Sequence, residues 1–161
     1  TFLFSGTIIF TMGKLIRTLT ELEAEAARFA NSLAPRGRGA TLVTLSGELG
    51  VGKTAFTKAV AKALSVEETV NSPTFVLEKI YLLPRKRGSS TSTFARLIHI
   101  DAYRLEKGND LAPLGFDEIM KDAGNLILLE WPENVAGALP APAVKISLLV
   151  HTDGSRILSY D

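Results

Sequence analysis

The chain has 161 residues, 46% of them hydrophobic and 22% charged, which is the size and balance of one globular domain. It contains no cysteine and carries a formal net charge of +1. That excludes disulfides, thiolate metal sites, a cysteine nucleophile and a global basic field for nucleic acid, so any RNA contact must be local. A cysteine-free chain also suits a reducing compartment, and a cytoplasmic location is the expectation.

Residues 1–10 are apolar. They are fewer than the roughly 20 that span a bilayer and lack the basic start and cleavage site of a secretory signal. Two readings stand: an extra edge strand, or a stretch upstream of a start at Met12. Residues 1–11 are accordingly set apart as an extension, and residues 12–161 are read as the domain. Residues 15–19 suggest a short strand. Thr18 or Thr20 then opens a helix, each having a glutamate (Glu21, Glu23) at capping-box spacing. Leu22, Ala26, Phe29, Ala30 and Leu33 recur at helical spacing as its buried stripe. Pro35 and the Gly37-Arg38-Gly39 turn end it.

Residues 41–45 form a β-branched, apolar run that leads into Gly47-Glu48-Leu49-Gly50-Val51-Gly52-Lys53-Thr54. Phe56, Ala59, Val60, Ala63 and Leu64 then mark a second amphipathic helix. Strand, glycine loop and helix are the context in which G-x-x-x-x-G-K-[ST] acts as a phosphate loop. Glycines let successive backbone N–H groups face a phosphate, and the helix start adds unpaired donors and its positive dipole end. Lys53 would reach the β- and γ-phosphates, and the Thr54 hydroxyl would bind Mg²⁺. A chance match in a chain of this length is on the order of 1% given ordinary glycine usage, so the loop is taken as functional. No N-K-x-D element for guanine is present, which leaves adenine as the expected base.

Residues 75–83 and 94–100 read as strands joined by a polar, basic loop over residues 84–93, and residues 116–122 as a short helix. Arg85, Lys86 and Arg87 in that loop suit a solvated tip, a lid or an RNA backbone contact. Residues 126–129 are continuously apolar, as in a central strand covered on both faces. Residues 144–150 and 156–160 form a closing hairpin turned at Asp153-Gly154. The expected fold is therefore a single-domain α/β P-loop NTPase. Its central sheet should be mixed and mostly parallel, flanked by helices and closed by antiparallel strands.

Two acids follow apolar runs at expected strand ends, Asp101 and Glu130. One would hold Mg²⁺ and the other orient the attacking water, and the residues leave open which does which. Ser72-Pro73-Thr74-Phe75 is a constrained turn with two hydroxyls, suited to sensing a γ-phosphate or simply to entering a strand. His99, on a core strand, reads as a structural residue. Trp131 packs in the core or beside a nucleotide or partner. Arg104 pairs with Asp101, a phosphate or solvent.

Taken together, the glycine loop, S-P-T-F at 72–75, H-I-D-A-Y-R-L at 99–105 and E-W-P-E at 130–133 resemble the bacterial TsaE (YjeE) family. The resemblance runs from about Thr20 to the chain end. It implies a compact P-loop α/β fold with a mixed sheet that binds and hydrolyses ATP with Mg²⁺. It further implies assembly with TsaB and TsaD, which place threonylcarbamoyl on adenosine 37 of tRNAs reading ANN codons. By match the catalytic residues would be Glu130, Asp101 and Thr74, and the metal residues Thr54, Glu130 and Asp101. ATP would be bound by Gly47, Glu48, Leu49, Gly50, Val51, Gly52, Lys53, Thr54, Ala55 and Trp131. The extension at 1–11 and the loop at 84–93 depart from the family pattern, which bears on partner contacts rather than on the nucleotide site. The rival from another class is a small-molecule P-loop kinase, whose acceptor displaces water. A nucleotide-gated binding module with negligible hydrolysis is a third.

Overall fold

The computed structural model describes residues 13–71, 76–84 and 93–161. In chain order these form β1 (Lys14–Ile16), α1 (Leu19–Ser32), β2 (Thr41–Ser46), α2 (Lys53–Ala63), β3 (Glu78–Leu82) and β4 (Arg96–Asp101). Then come α3 (Phe116–Lys121), β5 (Asn125–Glu130), β6 (Val144–Val150) and β7 (Arg156–Tyr160). Two 3₁₀ segments, Gly108–Leu114 and Pro132–Ala138, flank α3 and β5.

The competition between the two threonines for the start of α1 is settled at Thr18. Its hydroxyl accepts from Glu21 N at 3.1 Å, and the Glu21 carboxylate reaches back to Arg17 N at 2.6 Å. Capping at Thr18 makes Leu19 the first helical residue, which is why β1 stops at Ile16 rather than reaching residue 19. The expected stripe is buried at Leu22, Ala26, Phe29 and Ala30, while Leu33 is the partly buried C-cap.

The strands form one seven-stranded sheet in the order β1-β7-β6-β2-β5-β4-β3. The pairs β6–β2, β2–β5 and β5–β4 are parallel, whereas β1–β7, β7–β6 and β4–β3 are antiparallel. The sheet is mixed as expected: the central run β6-β2-β5-β4 is parallel and is closed on either side by antiparallel strands. The two strands of the closing hairpin have the expected bounds, with Gly154 at φ 84 in the turn. β3 begins at Glu78 because Leu77 has a left-handed φ of 65, which an extended strand cannot include.

All six residues of β5 and the first five of β2 are buried, so both faces of the sheet's centre are covered. On one face Val43, Leu45, Leu126 and Leu128 pack with Leu22 and Phe29 of α1 and Phe56 and Val60 of α2. On the other, Leu42, Ile98, Ile127 and Leu129 pack with Leu111, Phe116 and Val135. The two 3₁₀ segments meet where a Cβ at Gly108 would come within 2.6 Å of Ala138 Cβ, a contact only glycine permits.

α1 also buries an acid. The Glu25 side chain is fully enclosed and accepts hydrogen bonds from Lys14 of β1, Arg28 of its own helix and, at 2.8 Å, the Tyr160 hydroxyl of β7. Burial pushes its carboxyl upward, but the Arg28, Lys14 and Tyr160 hydrogen bonds outweigh this and hold it at about 2. A carboxyl lowered by folding contributes stability that is complete above its ordinary value near 4.5 and lost as pH falls toward about 2. Lys14 and Arg28 are half-exposed and solvated, so Glu25→Gln should cost about 1.5–3 kcal/mol at neutral pH rather than more. Thermal denaturation from pH 7 down to about 2.5 should show the gap between wild type and variant closing within that acid window. A gap that stays constant would remove the ionic account.

Candidate functional site

Register brings three strand ends together. Glu130 of β5 lies opposite Leu45 of β2 on one side and Asp101 of β4 on the other. The loop from β2 to α2 leaves at the same edge, so both acids meet the glycine loop at the carboxyl ends of parallel strands, where α/β sheets place ligands.

The loop owes its shape to glycine. Gly47, Gly50 and Gly52 have φ of 149, 76 and 119. At Gly47 a Cβ would also lie 2.6 Å from Leu148 O and 2.8 Å from Val51 Cγ1, so both dihedral and space exclude a side chain. Gly52 is the N-cap of α2 and supplies no side-chain acceptor, and the first turn of α2 holds no acidic residue. Its leading N–H groups therefore carry no side-chain cap from Gly52 or from an acid of that turn.

Lys53, the first residue of α2, is 5% exposed. Its amine donates to Gly47 O at 2.5 Å and Glu48 O at 2.8 Å and sits 4.1 Å from the Trp131 ring centroid. Burial pulls its pKa down, opposed by the charges of Glu130, Glu133 and Asp101. One residue on, Thr54 Oγ1 donates to the Glu130 carboxylate, 3.1 Å from Oε1 and 3.2 Å from Oε2. Glu130 Oε1 is also 2.7 Å from His99 Nε2. Asp101 Oδ1 accepts from Tyr103 N at 3.0 Å. Glu130 and Asp101 are 2% and 4% exposed, buried yet lining a shared cleft of about 260 Å³ with Lys53, Thr54, Tyr103 and Trp131.

Trp131 reaches the lysine through a left-handed turn, φ 59 and ψ 49, pinned by its N–H to Leu45 O at 3.2 Å. Tyr103 packs on the indole with ring centroids 5.0 Å apart. A second cavity of about 330 Å³ adjoins the cleft, sharing Gly50, Gly52 and Ala55 and walled by Arg17, Thr18, Leu19 and Leu22. Sequence reasoning placed none of these four at a site, and no local signal marks them, since they reach the loop only through the packing of α1 on α2. Tyr103 lay within the H-I-D-A-Y-R-L segment but was given no role.

Of the residues singled out in the sequence, Gly50, Gly52, Lys53, Thr54, Ala55, Asp101, Glu130 and Trp131 line one cleft, and Leu49 stands 73% exposed at its mouth. Glu48 contributes its carbonyl to Lys53, while Val51 is a core residue. Thr74, with the rest of 72–75, and the basic residues Arg85, Lys86 and Arg87 lie outside the described residues. Among the described residues no group of three or more His, Asp or Glu converges as a self-sufficient metal cage. None of their helices is long and apolar enough to cross a membrane.

The family model described as threonylcarbamoyl adenosine biosynthesis protein TsaE matches residues 18–158. The chain belongs to the TsaE family. It is similar to proteins named tRNA threonylcarbamoyladenosine biosynthesis protein TsaE in several bacteria. The one from Rickettsia bellii is 33% identical over 88% of this chain and 91% of its own. The Treponema pallidum relative is 34% identical over 88% and 96%, and that of Bacillus subtilis 33% identical over 89% and 82%. The fold is similar to the crystal structure of Bacillus subtilis YdiB, with a TM-score of 0.66 and 27% identity over 92% of this chain and 86% of that one. The TsaE family match spans every cleft residue named above.

Proposed function

We propose that this TsaE-family chain is a cytoplasmic, Mg²⁺-dependent P-loop ATPase. It would serve tRNA threonylcarbamoyladenosine biosynthesis with TsaB and TsaD, on tRNAs that read ANN codons. Family membership and the names of its relatives support the pathway. The observation that carries the ATPase reading is the convergence of Lys53, Thr54, Asp101 and Glu130 on one cleft at the start of α2.

In this reading the triphosphate lies along the loop against the N–H groups of Gly50, Gly52 and the first turn of α2. The Lys53 amine turns from the Gly47 and Glu48 carbonyls to the β- and γ-phosphates. The second cavity, contiguous with the loop and lined by Leu19 and Leu22, receives the adenine. The Thr54 hydroxyl and Glu130 carboxylate, already hydrogen-bonded, are hard oxygen donors. Two protein oxygens suit Mg²⁺, which completes its shell with phosphate oxygens and water and needs no protein cage. When bound, it would neutralise charge on the transferring phosphoryl group. Asp101, at the neighbouring strand end, orients the water that attacks the γ-phosphorus, giving ADP and phosphate. Thr74 would complete the γ-phosphate contact.

The test is hydrolysis of ATP by the purified chain, alone and with TsaB, TsaD and tRNA. Slow turnover alone that rises when all three are added is the expected result. If those partners have no effect and a small-molecule acceptor becomes phosphorylated, the chain is a kinase and its second cavity holds the acceptor.

A further inference from the structure

His99 occupies the middle of β4, paired in register with Lys79 of β3 and Leu128 of β5. It is fully buried, and among the described residues its ring makes one polar contact, from Nε2 to Glu130 Oε1 at 2.7 Å. Nδ1 is buried with no hydrogen-bond partner among the described residues. A leucine would fill this core position without leaving a polar atom unsatisfied, a cost of about 1–3 kcal/mol. Packing therefore does not account for an imidazole here, and the bond to Glu130 does.

The direction of that bond follows from its partners. A carboxylate only accepts, so the hydrogen of this bond belongs to His99 Nε2. Thr54 Oγ1 is almost equidistant from the two carboxylate oxygens and does not choose between them. His99 does: its Nε2 donates to Oε1 alone, which leaves Oε2 the larger share of acceptor capacity. The terminal torsion of glutamate is broad, so a second anchor is what fixes the plane of the carboxylate.

We infer that His99 is the positioning residue of Glu130, holding its carboxylate so that Oε2 is presented to the cation at Thr54. The inference rests on the proposed role of Glu130 toward Mg²⁺ and adds the group that aims it. Partners that orient a ligating carboxylate in this way are worth about 10–100-fold in metal affinity or activity.

The experiment measures three quantities for wild type, His99→Leu and His99→Gln. These are ADP affinity without metal, the Mg²⁺ concentration that half-saturates the nucleotide complex (read by Trp131 fluorescence), and ATP turnover. Leucine keeps the volume and drops the donor; glutamine carries an amide N–H to about the place of Nε2. The expected result is metal-free ADP affinity unchanged in both variants. His99→Leu should raise the half-saturating Mg²⁺ by about 10-fold or more and lower turnover in step, and His99→Gln should recover most of both. If His99→Leu does not fold, His99→Asn replaces it, because its amide stops short of Glu130. Glutamine and asparagine variants of equal Mg²⁺ requirement would overturn the inference, as would a leucine variant indistinguishable from wild type. A wild-type chain that binds no nucleotide, or binds it indifferently to Mg²⁺, would instead strike at the proposed function itself.

Discussion

Lys53→Met is expected to weaken ATP binding by about 10²–10⁴-fold while leaving the chain folded. In the proposed complex the ammonium donates to two phosphates, and hydrogen bonds to charged groups are each worth about 1.5–3 kcal/mol, giving that range together. The same substitution should be nearly neutral for stability. Methionine preserves the stem beneath Trp131, and it removes a buried cation whose desolvation already pulls its pKa down. Gly47 O and Glu48 O lose their donor, but both belong to the loop at the cleft, where water can replace it. Calorimetric titration with ATP and with ADP, beside a thermal melt, separates the two effects. An affinity equal to wild type would refute a phosphate role for the loop. A loss of affinity accompanied by collapse of the melt would make Lys53 a structural residue.

Much of this site was legible because its signals are local. The β-branched run before Gly47 and the apolar repeat after Lys53 place a strand and a helix around the glycines without tertiary information, and both formed as β2 and α2. Residues 126–129 read as a doubly covered strand because no polar residue interrupts them, and β5 is buried throughout. What escaped depends on distant parts of the chain. The enclosure of Glu25 by Lys14 and Tyr160 exists only once β1 and β7 pack against α1. The 3₁₀ segments rest on single buried anchors, Leu111 and Val135, which give no period to detect. The left-handed backbone of Trp131 is set by Leu45 O, a partner many residues upstream. For the same reason a histidine inside an apolar strand looked structural: the carboxylate it meets is on the next strand.

The two acids should separate by their response to Mg²⁺. Glu130 is bonded to the hydroxyl proposed as a metal ligand, whereas Asp101 is tied through Oδ1 to the Tyr103 backbone at the neighbouring strand end. Glu130→Gln is nearly isosteric and retains one oxygen for Thr54, so the fold and metal-free ADP binding should persist. Turnover at saturating ATP should fall by about 10²–10⁴-fold, the range for losing a group that activates or positions a reactant. The requirement for Mg²⁺ should rise at the same time, because an amide oxygen is a weaker ligand than a carboxylate. Asp101→Asn should lower turnover over a similar range but leave the Mg²⁺ requirement where it was, since its task falls on the attacking water. Turnover measured across a Mg²⁺ series for both variants decides the assignment. If Asp101→Asn shifts the metal requirement and Glu130→Gln does not, the roles are exchanged. Should both variants hydrolyse ATP as wild type does, neither carboxylate takes part, and the Thr54–Glu130–His99 chain would be a structural feature of the strand ends alone.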